Sequence, residues 1–262
     1  MVDVMNDFSQ LHFELHDHVA LLTMDAPPVN AVTRILNDEL TMAMDQVSDM
    51  NAVRAVVLTG AGRVFCAGAD IKARAAMTAG LGALSAHSRR TRECFHAIRE
   101  CAKPVVCAVN GAALGAGLAI VASCDILLAS DKGVFGLPEV DVGLMGGGKH
   151  AMRLFSHSRL RRMMLTGMRV EARELYRLGV IEACTQPEKL LAEALAVAQE
   201  IATKSPLATR LAKHTLNVIE DMSLRDGYRY EQDMTAQISS SEDTKEAQLA
   251  FAEKRAPIFV GR

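Results

Sequence analysis

The strongest constraint on this chain is a pair of short, unbroken apolar runs, RAVVLT at 54–59 and PVVCAV at 104–109. Each is too short for a helix and lacks polar alternation, which suits a strand covered on both faces. The first breaks into Gly60-Ala61-Gly62. The second flows into NGAALGAGLAIVASCD, a glycine-bearing loop that opens an apolar helix. Residues 11–24, LHFELHDHVALLTM, hold two apolar bursts split by His16-Asp17-His18 and read as a β-hairpin, which Pro27-Pro28 ends. Thr33 to Met50 has helical spacing, 73–102 reads as helix, 126–129 and 134–135 as strands, and a helix starts at about Lys149. Strands alternating with helices to about residue 185 place the chain in the α/β class. From Glu188 the pattern is helical, over 188–203, 206–221, 223–238 and 242–254. Such a tail cannot bury all its apolar faces alone and is expected to pack on the core or on a neighbouring subunit.

The formal net charge of −2 offers no global attraction to nucleic acid or to an anionic membrane. No apolar stretch reaches the ~18 residues a membrane helix needs. The opening MVDVMNDFSQ lacks the basic-then-apolar layout of a secretory signal, so a cytoplasmic protein is expected. The six cysteines, Cys66, Cys94, Cys101, Cys107, Cys124 and Cys184, form no CxxC pair, and no histidine cluster completes a zinc spacing. Free thiols and no metal are the expectation.

Three segments can carry chemistry. Val64 to Lys72, VFCAGADIK, is a strand exit whose small residues let backbone N–H groups approach a ligand closely. An ordinary turn explains it equally well. Asn110 to Ala119, NGAALGAGLA, opens a helix whose first N–H groups lack partners and can hold a phosphate or a developing oxyanion. Tight helix packing is the plainer reading of its glycines. Neither GxGxxG nor a phosphate loop ending in GK[ST] is present, so no nicotinamide cofactor or nucleoside triphosphate is indicated. Phe135 to Gly143, FGLPEVDVG, fixes Glu139 behind a proline among apolar residues. Burial there raises a carboxylate pKa and suits it to proton transfer.

In order, these segments resemble the crotonase family of enoyl-CoA hydratases and isomerases. The resemblance runs from Ala26-Pro-Pro-Val-Asn-Ala31 through Leu58–Gly62, Phe65–Lys72, Lys103-Pro-Val, Ala108–Gly111, Cys124-Asp125 and Phe135–Glu139, to Ser241–Asp243 and Ala250–Arg255. It implies an α/β spiral of ββα units over 1–200 that carries an acyl-CoA site. A helical C-terminal trimerisation region follows over 201–262, hence a homotrimer or a dimer of trimers. It implies an enzyme that stabilises a thioester enolate, with coenzyme A as part of the substrate and no separate cofactor. By position, the backbone N–H groups of Ala69 and Ala116 hold the thioester carbonyl. Lys72, Phe251 and Lys254 match positions lining the CoA phosphates and adenine. Val29, Ala67, Asp70 and Ile71 fall on other parts of the CoA wall.

The departures matter as much. Hydratases of this family carry two glutamates. Glu139 matches the second, while the first, one turn past Ala116, is Ala119 here. The remaining base favours single-base proton transfer, such as enoyl-CoA isomerisation. Hydration with a replacement group is the alternative, as is a CoA-binding protein with weak catalysis. The pair Lys149-His150 is unusual for the family. His150 is either an acid, base or carboxylate partner, or a helix-start residue outside the pocket. Asp141, two residues past Glu139, shares its face if the segment is extended. Arg89, Arg90 and Arg92 fall on a helix that often overhangs the acyl pocket, where one of them can grip a second carboxylate or simply face solvent.

Overall fold

The computed structural model describes residues 7–71 and 80–262. Strands β1 (Leu11–His16) and β2 (Val19–Met24) form the antiparallel hairpin, turning at Asp17 with φ 54°. Strands β3 (Ala55–Gly60), β4 (Val64–Cys66), β5 (Val105–Val109), β6 (Ala112–Leu114), β7 (Ile126–Ser130), β8 (Val134–Gly136), β9 (Arg169–Glu171) and β10 (Ala183–Thr185) follow. Two sheets result, ordered β1-β2-β3-β5-β7-β10 and β4-β6-β8-β9. From β2 onward every pairing in the larger sheet is parallel.

The parallel strands read as continuous apolar runs because both their faces are covered. Val56, Leu58, Val105, Cys107 and Val109 point into the main core, shared with α1 (Arg34–Asp49) and α2 (Ala83–Glu100). Ala55, Val57, Val106, Ala108 and Leu128 point the other way. They meet Leu190, Ala194, Ala198 and Ala202 of a helix over Pro187–Ala202, whose spacing of four places small residues on one face. Helix α1 starts where Thr33 Oγ1 accepts the Leu36 N–H at 3.0 Å, and it buries Leu36, Leu40, Met44 and Val47.

The smaller sheet sets up the site. Helix α3 (Ala116–Ser123) springs from the end of β6, and a 3-10 helix (Pro138–Val142) from the end of β8. Strands β6 and β8 are paired in register, Leu114 beside Gly136, and the Gly115 N–H donates to the Gly136 carbonyl at 2.9 Å. The two segments therefore leave the sheet side by side. This corrects one expectation. The stretch around Glu139 is not extended but coiled, because Pro138 opens a helical turn that the chain accepts. In a 3-10 turn, residues two apart point in different directions.

Helices α4 (Gly148–Ala151), α5 (His157–Thr166), α6 (Ala172–Arg177) and α7 (Pro187–Ala202) complete the core region. The tail is α8 (Pro206–Ile219), α9 (Leu224–Ile238) and α10 (Glu242–Glu253). It packs on the core in part. Lys213 and Asn217 of α8 bond to the end of α2, whereas Leu216, Leu224 and Phe251 remain exposed. Among the described residues, no helix is long and apolar enough to cross a membrane, and no three His, Cys, Asp or Glu side chains are grouped to hold a metal ion.

Candidate active site

Beyond β4 the chain turns through Ala67-Gly68-Ala69. Gly68 has φ +103°, a conformation that an L side chain resists, and a Cβ there lies 2.9 Å from the Leu114 carbonyl and 3.7 Å from the Ala116 nitrogen. The loop carrying Ala69 thus rests directly on the start of α3. The Ala116 amide is the first of its helix and has no intrahelical acceptor. Among the described residues the Ala69 amide has no backbone acceptor either. Two donors are left unengaged on adjoining loops.

Glu139 meets them from the other side. Gly115 adopts φ 54°, ψ −117°, and a Cβ built on it lies 2.6 Å from Glu139 Oε1. The missing side chain makes the space that the carboxylate fills. Glu139 Oε2 is buried without a hydrogen-bond partner among the described residues. Burial pushes its pKa above the ordinary carboxylate value, opposed only by its own backbone N–H. The Leu144 N–H donates to the Glu139 carbonyl at 2.9 Å and holds the turn. Gly115→Ala is expected to destabilise the fold by about 1–3 kcal/mol through overpacking. Urea unfolding checks this, and a wild-type midpoint rules the contact out.

One turn along α3, Ala119 is buried. A Cβ on Gly147 lies 2.9 Å from Leu137 Cδ2 and 4.0 Å from the Ala119 methyl. Position 119 thus holds a buried methyl that belongs to the apolar core, and no carboxylate. Asp141 does not stand in. Its two carboxylate oxygens both lie 2.8 Å from a Cβ built on Gly167, on the α5 side of the 3-10 helix. The shared face expected for Glu139 and Asp141 is thereby corrected.

His150 lies edge-on to Phe95, ring centroids 5.0 Å apart. Burial foremost, then His96, Arg153 and Arg99, lowers its pKa, which favours a neutral ring. Lys149 pairs with Asp221 at the exposed surface at 3.5 Å. Arg90 is tied to Asp38 at 3.1 Å and Arg92 to Glu93 at 3.5 Å, while Arg89 is exposed. On the CoA wall, the Ala67 N–H donates to the Val29 carbonyl at 3.0 Å, Ile71 is exposed and Asp70 half-buried. Lys72 lies outside the described residues. Helix α10 is anchored at the N-terminal end of β3, where Arg54 holds the Phe259 carbonyl and Arg255 and Ile258 reach Glu246. Ala69, Ala116 and Glu139 sit beyond the C-terminal ends of the strands. Among the described residues no hydrogen bond or ion pair links Phe251 or Lys254 to them.

The sequence profile of the enoyl-CoA hydratase/isomerase family matches residues 14–262. The chain belongs to this family. It is 36% identical over 236 residues to a Mycobacterium tuberculosis (7aS)-7a-methyl-1,5-dioxo-2,3,5,6,7,7a-hexahydro-1H-indene-carboxyl-CoA hydrolase, covering 90% of this chain and 95% of that one. It is 33% identical over 250 residues to a probable mitochondrial enoyl-CoA hydratase of Dictyostelium discoideum, covering 94% and 89%. A crystal structure of an enoyl-CoA hydratase from Bacillus anthracis superposes with a TM-score of 0.92 at 28% identity, covering 97% of this chain and all of that one. The chain is accordingly an acyl-CoA enzyme on the crotonase fold.

Sequence reasoning passed over Asn30 and Lys213, both buried. Asn30 stands in the Ala26–Ala31 segment, and an asparagine directly after a Pro-Pro-Val turn was the available signal. Lys213 gave none, since nothing near it in the sequence marks which lysine of the helix meets a buried acid.

Proposed function

We propose that this enzyme moves a proton on an enolised acyl-CoA with Glu139 as its single base, as in isomerisation of an enoyl-CoA double bond. The observation that carries the reading is Glu139 set against Gly115, next to the amides of Ala69 and Ala116, with a methyl at 119. The thioester oxygen accepts hydrogen bonds from the two amides. The Glu139 carboxylate takes a proton from C2 of a 3-enoyl thioester, and the electron pair delocalises into a dienolate. The carboxyl, whose proton exchanges with water, then delivers a proton to C4, which moves the double bond to C2–C3 and restores the base. A half-buried carboxylate suits both halves of this shuttle.

Hydration is the second reading, favoured by relatives such as the Dictyostelium protein. It needs a group to hold the added water. Asp141 turns to Gly167, and His150 meets the edge of Phe95 with no hydrogen bond to Glu139 among the described residues. The Mycobacterium relative acts on a dioxo-indene acyl-CoA, which supports a bulky carbonyl-bearing acyl group as a further substrate to try. The exposed Phe251 and Leu224, at 88% and 91%, support a trimer or dimer of trimers in which a neighbour's Phe251 and Lys254 complete the CoA wall.

The test is mass spectrometry of 3-enoyl-CoA incubated with the enzyme in deuterated water. The expected product is the 2-enoyl-CoA with deuterium uptake and no added oxygen. Clean addition of water establishes hydration instead. Absence of both on every enoyl-CoA tried supports the weakly catalytic binder.

A further inference from the structure

We propose that Asn30 is a positioning residue that holds the oxyanion donors in place without touching the substrate. The proposal rests on the assignment of Ala69 and Ala116 as those donors. Asn30 is 3% exposed and has φ 50°, the left-handed region that asparagine tolerates better than most residues. Its side chain makes three hydrogen bonds to three places in the chain. Oδ1 accepts the Ala26 N–H at 2.9 Å, and Nδ2 donates to the carbonyls of Ala61 at 3.0 Å and Val64 at 2.8 Å. One planar amide thus ties the loop after β2 to both ends of the β3–β4 turn.

The backbone on either side of Asn30 is what grips the site. The Val29 carbonyl takes the Ala67 N–H at 3.0 Å, and the Val32 N–H donates to the Gly68 carbonyl at 2.8 Å. Val32 and Ala69 form an isolated parallel bridge. The segment 29–32 is therefore a strap along 67–69, and Asn30 is its buckle. Gly68 in turn bears on Leu114 and Ala116, so the strap's position fixes the spacing of the two amides. Glu139 is held separately, by the 3-10 helix and Gly115. Loss of the Asn30 amide should displace the donors and leave the base alone. Displacements on the order of 1 Å from a remote change can lower rates by about 100-fold.

Asn30→Gly tests this, because glycine accepts the left-handed φ while removing the clamp. The probe is 2-butenoyl-CoA labelled with ¹³C at the thioester carbonyl, bound to wild-type and variant protein. Its C=O stretch reports hydrogen bonding by the donors whether or not any reaction follows. The expected result is a shift to lower frequency in the wild type that is at least halved in N30G. A kcat drop of about 10- to 100-fold per folded molecule should accompany it, with the acid limb of the pH profile unmoved. Asn30→Asp, which keeps the Ala26 bond but sets oxygen against two carbonyls, is the second variant and is read the same way. A carbonyl shift and a kcat per folded molecule equal to wild type overturn the proposal, as does failure of both variants to fold, which assigns Asn30 to stability alone. A wild type that shifts the carbonyl but moves no proton refutes single-base chemistry and leaves this proposal standing. A wild type that shifts nothing removes the donor assignment and the proposal together.

Discussion

Glu139→Gln is expected to lower proton transfer by about 10²- to 10⁴-fold, the usual contribution of a positioned general base, with the fold intact. Glutamine keeps the shape that fills the space over Gly115 and removes only the basic oxygen. Burial raises the Glu139 pKa, so ionisation is less favourable in the folded chain than in the unfolded one. The base must be ionised to act. Activity therefore rises with pH through a midpoint above the ordinary carboxylate range. Stability runs the opposite way. A carboxyl group with a raised folded pKa favours the fold below its unfolded pKa and loses that contribution as pH climbs toward the folded value. E139Q carries no such loss, and at neutral pH it should melt no lower than wild type. Deuterium exchange into an acyl-CoA and thermal unfolding, measured on the same protein, check both halves. Exchange unchanged in E139Q on every active substrate would falsify the assignment of the base.

The contrast between Glu139 and its neighbour shows what the sequence exposes. Glu139 was legible because proline and apolar flanks around a lone acid forecast burial, a local property. Asp141 was misread because an extended segment and a single 3-10 turn carry the same short pattern. Strands β3 and β5 stood out because two covered faces leave unbroken apolar runs. Strands β4, β6 and β9 have three residues each, too few for a period of two to register. The meeting of Ala69, Ala116 and Glu139 is a long-range fact, set by β6 and β8 leaving the small sheet in register. The resemblance implied those residues' roles, while their approach through Gly68 and Gly115 required coordinates. Apart from the Ala26 N–H, the groups that Asn30 and Lys213 hold lie 31 or more positions away, which no local window contains.

Lys213→Met is expected to destabilise the enzyme by about 3–5 kcal/mol, the range found when one partner of a buried ion pair is removed. Lys213 shows 5% of its side chain to solvent and sits 2.8 Å from Asp125 Oδ2. Its other bonds go to the carbonyls of Ile98 at 3.2 Å and Lys103 at 3.1 Å, just where α2 ends. The cation thus closes the C-terminal end of one helix and neutralises an acid at the start of β7, holding α8 to both. Asp125 also accepts the Val105 N–H at 2.7 Å. Burial raises the Asp125 pKa even with Lys213 beside it, since desolvation outweighs the opposing charge. Removing the lysine strips away the main counterweight and raises it further. At neutral pH the variant must either keep an unpaired charge in that site or protonate it. Its deficit should therefore shrink as the pH falls and Asp125 takes up a proton. Because 23% of the Asp125 side chain is exposed, water softens the loss and the lower end of the range is expected. Adding Asp125→Asn to K213M removes the orphaned charge while keeping the acceptor for Val105, so the double variant should be more stable than K213M alone. Urea unfolding of the two single variants and the double at neutral and mildly acidic pH closes the cycle. Additive losses, independent of pH, would mean that the pair is held by packing and not by its charge.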